Sequence, residues 1–250
     1  MDFKTTRERE LRERVSNDAK LAQRTGSAWD DVGKSQARYR EIYDRYLYLE
    51  SGTGFNTDLF FYARLLVRGA AERAKPNEQR LREYADSNLP KMSAGLLAAT
   101  PIYPEFETLT FAFSLDKMRE ILGPDDDIVR RVLGKESPES LASQLVRDTK
   151  LADPAVRKAL WEGGAAAVEA SQDPMIALAR SIDADSRALR KVYEDEVQAR
   201  VVASQEKIAK ARFAAFGTNV YPDATFTLRL SYGDVRSRSE EHTSELQSPI

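Results

Sequence analysis

Apolar residues recur along most of the chain at three- and four-residue intervals, the spacing of one helix face after another. From Phe3 to about Leu21, Phe3, Leu11, Val15 and Leu21 stand among dense Arg and Glu. That pattern predicts an exposed helix with a narrow apolar stripe and many i,i+4 ion pairs. Ser27 is placed to cap a second helix running to about Leu49, whose stripe of Trp29, Val32, Tyr39, Ile42, Tyr43 and Tyr46 reads as core. The run "ESGTGFN" breaks this helix. "DLFFYARLLV", apolar almost all round, then predicts a centrally buried helix that "AKPNE" ends.

A shorter helical pair is expected through "RLREYADSNLPKMSAGLLAAT". Pro104 just inside a start and Gly123-Pro124 as a stop delimit the next helix, with Phe106, Leu109, Phe113, Met118, Ile121 and Leu122 as its apolar contacts. Three further starts share one device: Ser137-Pro138, Asp153-Pro154 and Asp173-Pro174 each put a capping oxygen before a proline at the first helical position. The segments between them differ in length and pattern, so they are not repeats. The last opens the longest element, Asp173 to about Phe216, roughly 43 residues and about 64 Å long. Its stripe is Met175, Leu178, Ile182, Leu189, Val192, Val201, Ile208 and Phe216, interrupted by Asp185 and Glu196, which argues against a strict coiled coil. Gly217 suits its end.

Near the end the period changes to two. In "YPDATFTLRLSYG" the residues Phe226, Leu228, Leu230 and Tyr232 point one way and Thr225, Thr227, Arg229 and Ser231 the other, the alternation of a half-buried strand. One strand cannot satisfy its own backbone groups, and no confident partner is encoded here, so its sheet is expected in polypeptide outside these residues. The remaining "RSRSEEHTSELQSPI" lacks any period and reads as a disordered, non-native tail over 236–250. The fold class that follows is mainly α: a multi-helix domain over 3–217 with one long C-terminal helix, followed by a lone β-strand.

Composition narrows the function classes. In 250 residues, 38 Lys and Arg stand against 40 Asp and Glu, a net charge of −2, so no global basic field draws in nucleic acid. "RERELRER" alternates signs and cancels its own field. The absence of cysteine removes disulfides, thiolate nucleophiles and Cys-ligated zinc. The first residues carry no apolar leader, and no stretch reaches the roughly 18 apolar residues of a membrane span.

Candidate chemistry is sparse. The single histidine, His242, lies in the polar tail, so no Ser-His-Asp triad is expected within the chain. Gly52 and Gly54 lack the preceding strand and the lysine of a phosphate loop. Asp125, Asp126 and Asp127 are consecutive, which scatters their carboxylates; they read as helix N-terminal acids, not as a metal site. No catalytic, metal or cofactor-binding residue is assigned.

The runs "LADPAVRKAL", "SQDPMIALAR" and "YPDATFTLRLSYG", in this order and spacing, resemble the bacterial dipeptidyl-peptidase 7/11 family of serine peptidases. "SGTGFNTDLFFYARLLVR" and "TPIYPEFETL" extend the likeness over about residues 3–235. The resemblance implies a longer enzyme, in which a helical domain is inserted between two chymotrypsin-like β-barrels and dipeptides are released from the free N-termini of peptides. Residues 218–235 would begin the second barrel, and Thr225–Tyr232 would be its first strand. The family's His and Asp would precede this region and its Ser would follow it, so the chain alone is expected to be an inactive fragment. By the same resemblance the intact enzyme would be homodimeric, free of cofactors, and periplasmic or at the cell surface. The competing expectation is a self-contained helical scaffold that uses its strand to extend a partner's sheet.

Overall fold

The computed structural model describes residues 2–217, and everything described is helix or connection. α1 (Asp2–Asn17) and α2 (Ala19–Thr25) replace the single first helix expected from the sequence. The break falls at Asp18, whose carboxylate accepts from the Lys20 and Leu21 N–H groups and so starts a new helix. α3 (Ala28–Tyr46) begins after Ser27 as expected, but the Ser27 hydroxyl bonds the Asp31 carboxylate instead of capping a backbone N–H. It continues into a π-helical segment, Leu47–Ser51. α4 (Asp58–Arg73) is the buried helix predicted: Leu59, Phe60, Tyr62, Ala63, Leu66, Val67 and Ala70 all lie inside.

The expected short helical pair is one helix only. Two 3₁₀ turns, Asn77–Gln79 and Arg82–Tyr84, precede α5 (Leu89–Leu97). Arg80 between them and Ala85 after the second adopt extended backbone, and the Glu72 carboxylate accepts from the Leu81 N–H, a bond that takes this amide out of any helix ladder. Next come α6 (Pro104–Leu122), α7 (Asp127–Leu133), α8 (Pro138–Asp148), α9 (Pro154–Ala170) and α10 (Pro174–Val192). All three proline starts are capped as the sequence predicts, Ser137 by its hydroxyl, Asp153 and Asp173 by their carboxylates. A second π-helical segment, Tyr193–Gln198, joins α10 to α11 (Ala199–Phe216). The long C-terminal element is therefore two α-helices in one helical backbone path, widened at Tyr193 where i→i+5 bonding intervenes.

One expectation from the sequence lies outside the described residues, and one about α6 is corrected. The lone strand, Thr225–Tyr232, falls outside the described residues, as do the boundaries 218–235 and 236–250 and His242; among the described residues no strand is present. Of the six apolar contacts expected on α6, only Met118 is buried and Leu122 partly so; Phe106, Leu109, Phe113 and Ile121 are exposed. The helix packs instead through Phe111, Ala112 and Leu115, on the side roughly opposite Phe106, Leu109 and Phe113.

α4 lies between α9 and α10, α6 packs on α8, and α3 runs along α11. The apolar interior is divided. A large cluster fills the space among α4 to α10, and a small one, Leu11, Val15, Leu21 and Ala211, joins α1 and α2 to α11. Gly69 on α4 lets Trp161 of α9 approach: a Cβ there would lie 2.9 Å from the indole ring. No described helix is long and apolar enough to cross a membrane.

Candidate functional site

Helix α4 carries three charged residues on one face, Arg64, Arg68 and Glu72, at i,i+4 spacing, and α10 answers with Asp183, Arg187 and Arg190. Between them the first π-helical segment inserts Glu50, which is buried. Arg68, 2% exposed, donates to Glu50 Oε2 at 2.7 Å, to Asp183 Oδ1 at 3.0 Å and to Ser186 Oγ at 2.6 Å. Arg190 bridges Glu50 at 3.2 Å, Glu194 at 2.7 Å and Glu83. Arg64 donates to the Glu50 carbonyl and reaches its carboxylate at 3.3 Å.

The electrostatics follow from this pairing. Burial alone would raise Glu72, but hydrogen bonds from Lys75, Arg187 and the Leu81 N–H outweigh it and hold the carboxyl down at about 2. Burial and the neighbouring Arg68 lower Arg64. Burial also pushes Tyr84 up to about 12. The arrangement pairs the interior carboxylates with guanidinium groups, and it holds Glu72 away from the protonated form a general acid needs.

Beside it, Tyr39, Tyr43 and Tyr46 of α3 gather with Tyr193, the first residue of the second π-helical segment. The Tyr46 and Tyr193 ring centroids are 4.7 Å apart, and Tyr39 lies 5.3 Å from Tyr193. Burial, then the charge of Glu50, raises Tyr46 to about 12. Tyr39 and Tyr46 are half-buried and Tyr43 exposed, so the stripe read as core is a core edge. Arg38 Nε to Glu196 Oε2, 2.6 Å, closes this side.

A concavity lies at the bend of α9. α9 is broken at Gly164, whose φ of 61° only glycine adopts freely, and the two arms enclose a cavity of about 490 Å³ with the start of α10. Val156, Leu160 and Ala167 line it, with Lys150, Gln172 and Asp173 at its rim. Asp173 is committed there, since it caps α10 and also accepts from the Thr149 hydroxyl and the Lys150 N–H.

The residues weighed in the sequence fall as follows. Asp126 caps α7, and Arg45 binds Asp126 at 2.7 Å and Asp127 at 2.6 Å, while Asp125 is fully exposed. Gly52 and Gly54 form the turn after the π-helical segment, as expected. In "RERELRER", Arg12 pairs with Glu8 and Arg14 with Glu10. No three described His, Cys, Asp or Glu residues converge as metal ligands.

Besides Glu50, Arg68 and Glu72, the sequence pattern passes over two more buried ionic residues. Arg157 is fully buried and caps the carbonyls of Leu96, Ala98, Leu151 and Ala152. Glu107 of α6 caps α4 across the fold, accepting from the Thr57 hydroxyl and, at 2.9 Å, from the Asp58 N–H. Their signal was available: Arg157 shares its helix face with Trp161, and Glu107 sits one turn before Phe111.

The family model for Peptidase S46 matches residues 1–248. The chain belongs to the peptidase S46 family. The match bears out the resemblance to the dipeptidyl-peptidase 7/11 family of serine peptidases, and it makes the chain that of a peptidase, a hydrolase acting on peptides. No curated protein matches it. Within this S46 chain the described helices supply charge-neutralised packing, a shallow apolar cavity and exposed apolar surface.

Proposed function

We propose that the chain forms the helical, cleft-covering part of a serine-type dipeptidyl aminopeptidase that releases dipeptides from the free N-termini of peptides. The observation that carries the reading is the S46 match over residues 1–248, and the wholly helical character of 2–217 is consistent with an insertion between barrels. A helical body over the cleft would act by exclusion: extended peptide ends enter and folded chains do not. Acyl transfer by serine needs an imidazole to take the hydroxyl proton. These 250 residues contain one histidine, His242, and we assign it no catalytic role. The reacting groups then belong to polypeptide beyond this sequence, and the 250 residues alone are inactive.

Two experiments test this. The whole reading frame around the chain, expressed intact, should release dipeptides stepwise from an unblocked peptide and leave its N-acetylated form untouched; release of single residues or internal cleavage would overturn the assignment. The 250-residue chain should not turn over dipeptidyl fluorogenic substrates. Turnover abolished by a serine-reactive phosphonate would place a complete active site within it.

A further inference from the structure

Helix α9 bends where its sequence reads Gly163-Gly164, and the concavity of about 490 Å³ at that bend falls in the size range of small-ligand sites, roughly 300–1,000 Å³. Its lining is mainly apolar. Val156 and Leu160 of the first arm pack on the main interior yet stay only partly buried, and Ala167 of the second arm joins them. Such a lining offers water few partners, so covering it with an apolar group is favourable. The rim decides what that group can carry. Asp148 and Asp173 border the cavity, but both are committed: Arg147 donates to the two Asp148 oxygens at 2.9 and 3.3 Å, and Asp173 accepts from the Thr149 hydroxyl and from the Lys150 and Met175 N–H groups. Lys150 differs. Its backbone N–H serves Asp173, whereas its exposed ammonium forms no ion pair among the described residues. Gln172, exposed at the same rim, has an amide oxygen that accepts no hydrogen bond among the described residues.

We propose that this cavity binds the C-terminal residue of a peptide. An apolar side chain covers Val156, Leu160 and Ala167, the terminal carboxylate meets the Lys150 ammonium, and the Gln172 amide oxygen accepts from the last peptide N–H. Charge selects the carboxylate. Both rim carboxylates already have their donors, so the one ionic group left to complement is a cation, and an apolar ligand that carries an anion gains a charge-assisted hydrogen bond there. The Gln172 acceptor favours a peptide over a bare acyl chain, which has no donor to offer it. Choosing a peptide end also rests on the peptidase reading above. A peptide held by its tail leaves its N-terminus free, as the release of dipeptides requires.

The test is an amide and methyl NMR titration of the 250-residue chain with N-acetyl-Ala-Leu, whose blocked amine keeps it from being a substrate. Signals of Lys150, Val156, Leu160, Ala167 and Gln172 should shift together and saturate in the millimolar range. The C-terminal amide of the same peptide should bind about fivefold more weakly, the worth of one partly exposed ion pair, and Lys150→Met should bind acid and amide alike. N-acetyl-Gly-Gly lacks the apolar group and should not bind. Ala167→Phe fills the cavity and should abolish the shifts; if that variant unfolds, Lys150→Met carries the test, because its side chain is exposed and makes no ion pair among the described residues. Absence of shifts at about 10 mM peptide overturns the site. Octanoate that binds as tightly as the peptide overturns the peptide assignment in favour of a fatty carboxylate. A preference for acid over amide that survives Lys150→Met overturns the role of Lys150. Binding is read without turnover, so its failure leaves dipeptide release untouched, and release of single residues by the intact enzyme leaves the binding result untouched.

Discussion

Arg157 offers the sharpest test of the packing argument. Its guanidinium is wholly buried, pairs with no carboxylate among the described residues, and is held by four carbonyls: Leu96 at 2.6 Å, Ala98 at 2.7 Å, Leu151 at 2.6 Å and Ala152 at 3.0 Å. It also stacks 4.3 Å from the Tyr62 ring centre. Two of the carbonyls end α5 and two form the bend before α9, so one cation fastens both ends of chain that have no partner of their own. Arg157→Met keeps most of the volume and removes every donor. Each orphaned carbonyl costs about 1–3 kcal/mol, and relief from burying a charge offsets several kcal/mol of the total. We expect a net loss of about 3–5 kcal/mol, close to the cost of breaking a buried ionic contact. At roughly 2–4 °C per kcal/mol for a domain of this size, the melting midpoint should fall by about 10 °C. Urea unfolding followed by far-UV circular dichroism measures the first quantity, and amide exchange should rise first in Leu89–Leu97 and the 149–153 connection. A loss below about 1 kcal/mol, or a more stable methionine variant, would refute the claim that the carbonyls depend on this donor.

The other predictions concern neighbouring contacts. Gly69→Ala adds a Cβ 2.9 Å from Trp161; overpacking outweighs the gain in helix propensity, so a net loss of about 1 kcal/mol and an altered tryptophan emission are expected. Arg68→Met should cost about 3 kcal/mol by removing the most buried donor shared by Glu50 and Asp183, which keep Arg190 and Arg187, and adding Glu50→Met should recover part of it, read by a double-mutant cycle in urea. Glu72 titrates near 2 when folded against 4.5 normally, so its contribution is present above about 4.5 and is lost as pH falls towards 2; acid titration of Glu72→Gln should lack that component. Tyr46 and Tyr84 are raised from 10.0 to about 12, so their contribution is complete below pH 10 and lost as pH climbs through 12; tyrosinate absorbance should lag in the folded chain.

Local chemistry was legible wherever one residue type decides a backbone outcome. Pro138, Pro154 and Pro174 with their capping residues set three helix starts correctly, and Gly123 and Gly217 marked two ends. Faces were harder. α6 has apolar residues on both sides, and periodicity cannot say which of Phe111 and Phe113 meets the core; tertiary packing chose Phe111. The break at Asp18 is a side chain competing with the helix ladder, and the π-helical segments answer to contacts across the fold, Tyr46 on Tyr193 and Glu50 on Arg190. Such pairs are distant in sequence, so no local pattern announces them. The family, by contrast, was legible in short runs such as "SQDPMIALAR", because they combine a cap, a proline and a packed stripe in one fixed order.

The small cluster of Leu11, Val15, Leu21 and Ala211 has a mechanical consequence. It clasps the first helices to the last, with Arg14 reaching the Ala215 carbonyl at 3.1 Å and stacking 4.5 Å from Phe216. Entry and exit of the helical body are thus a single seam, sealed by four side chains against thirty in the main interior. A pull on either terminus loads that seam first, so it should unzip as a unit while the body behind it keeps its shape.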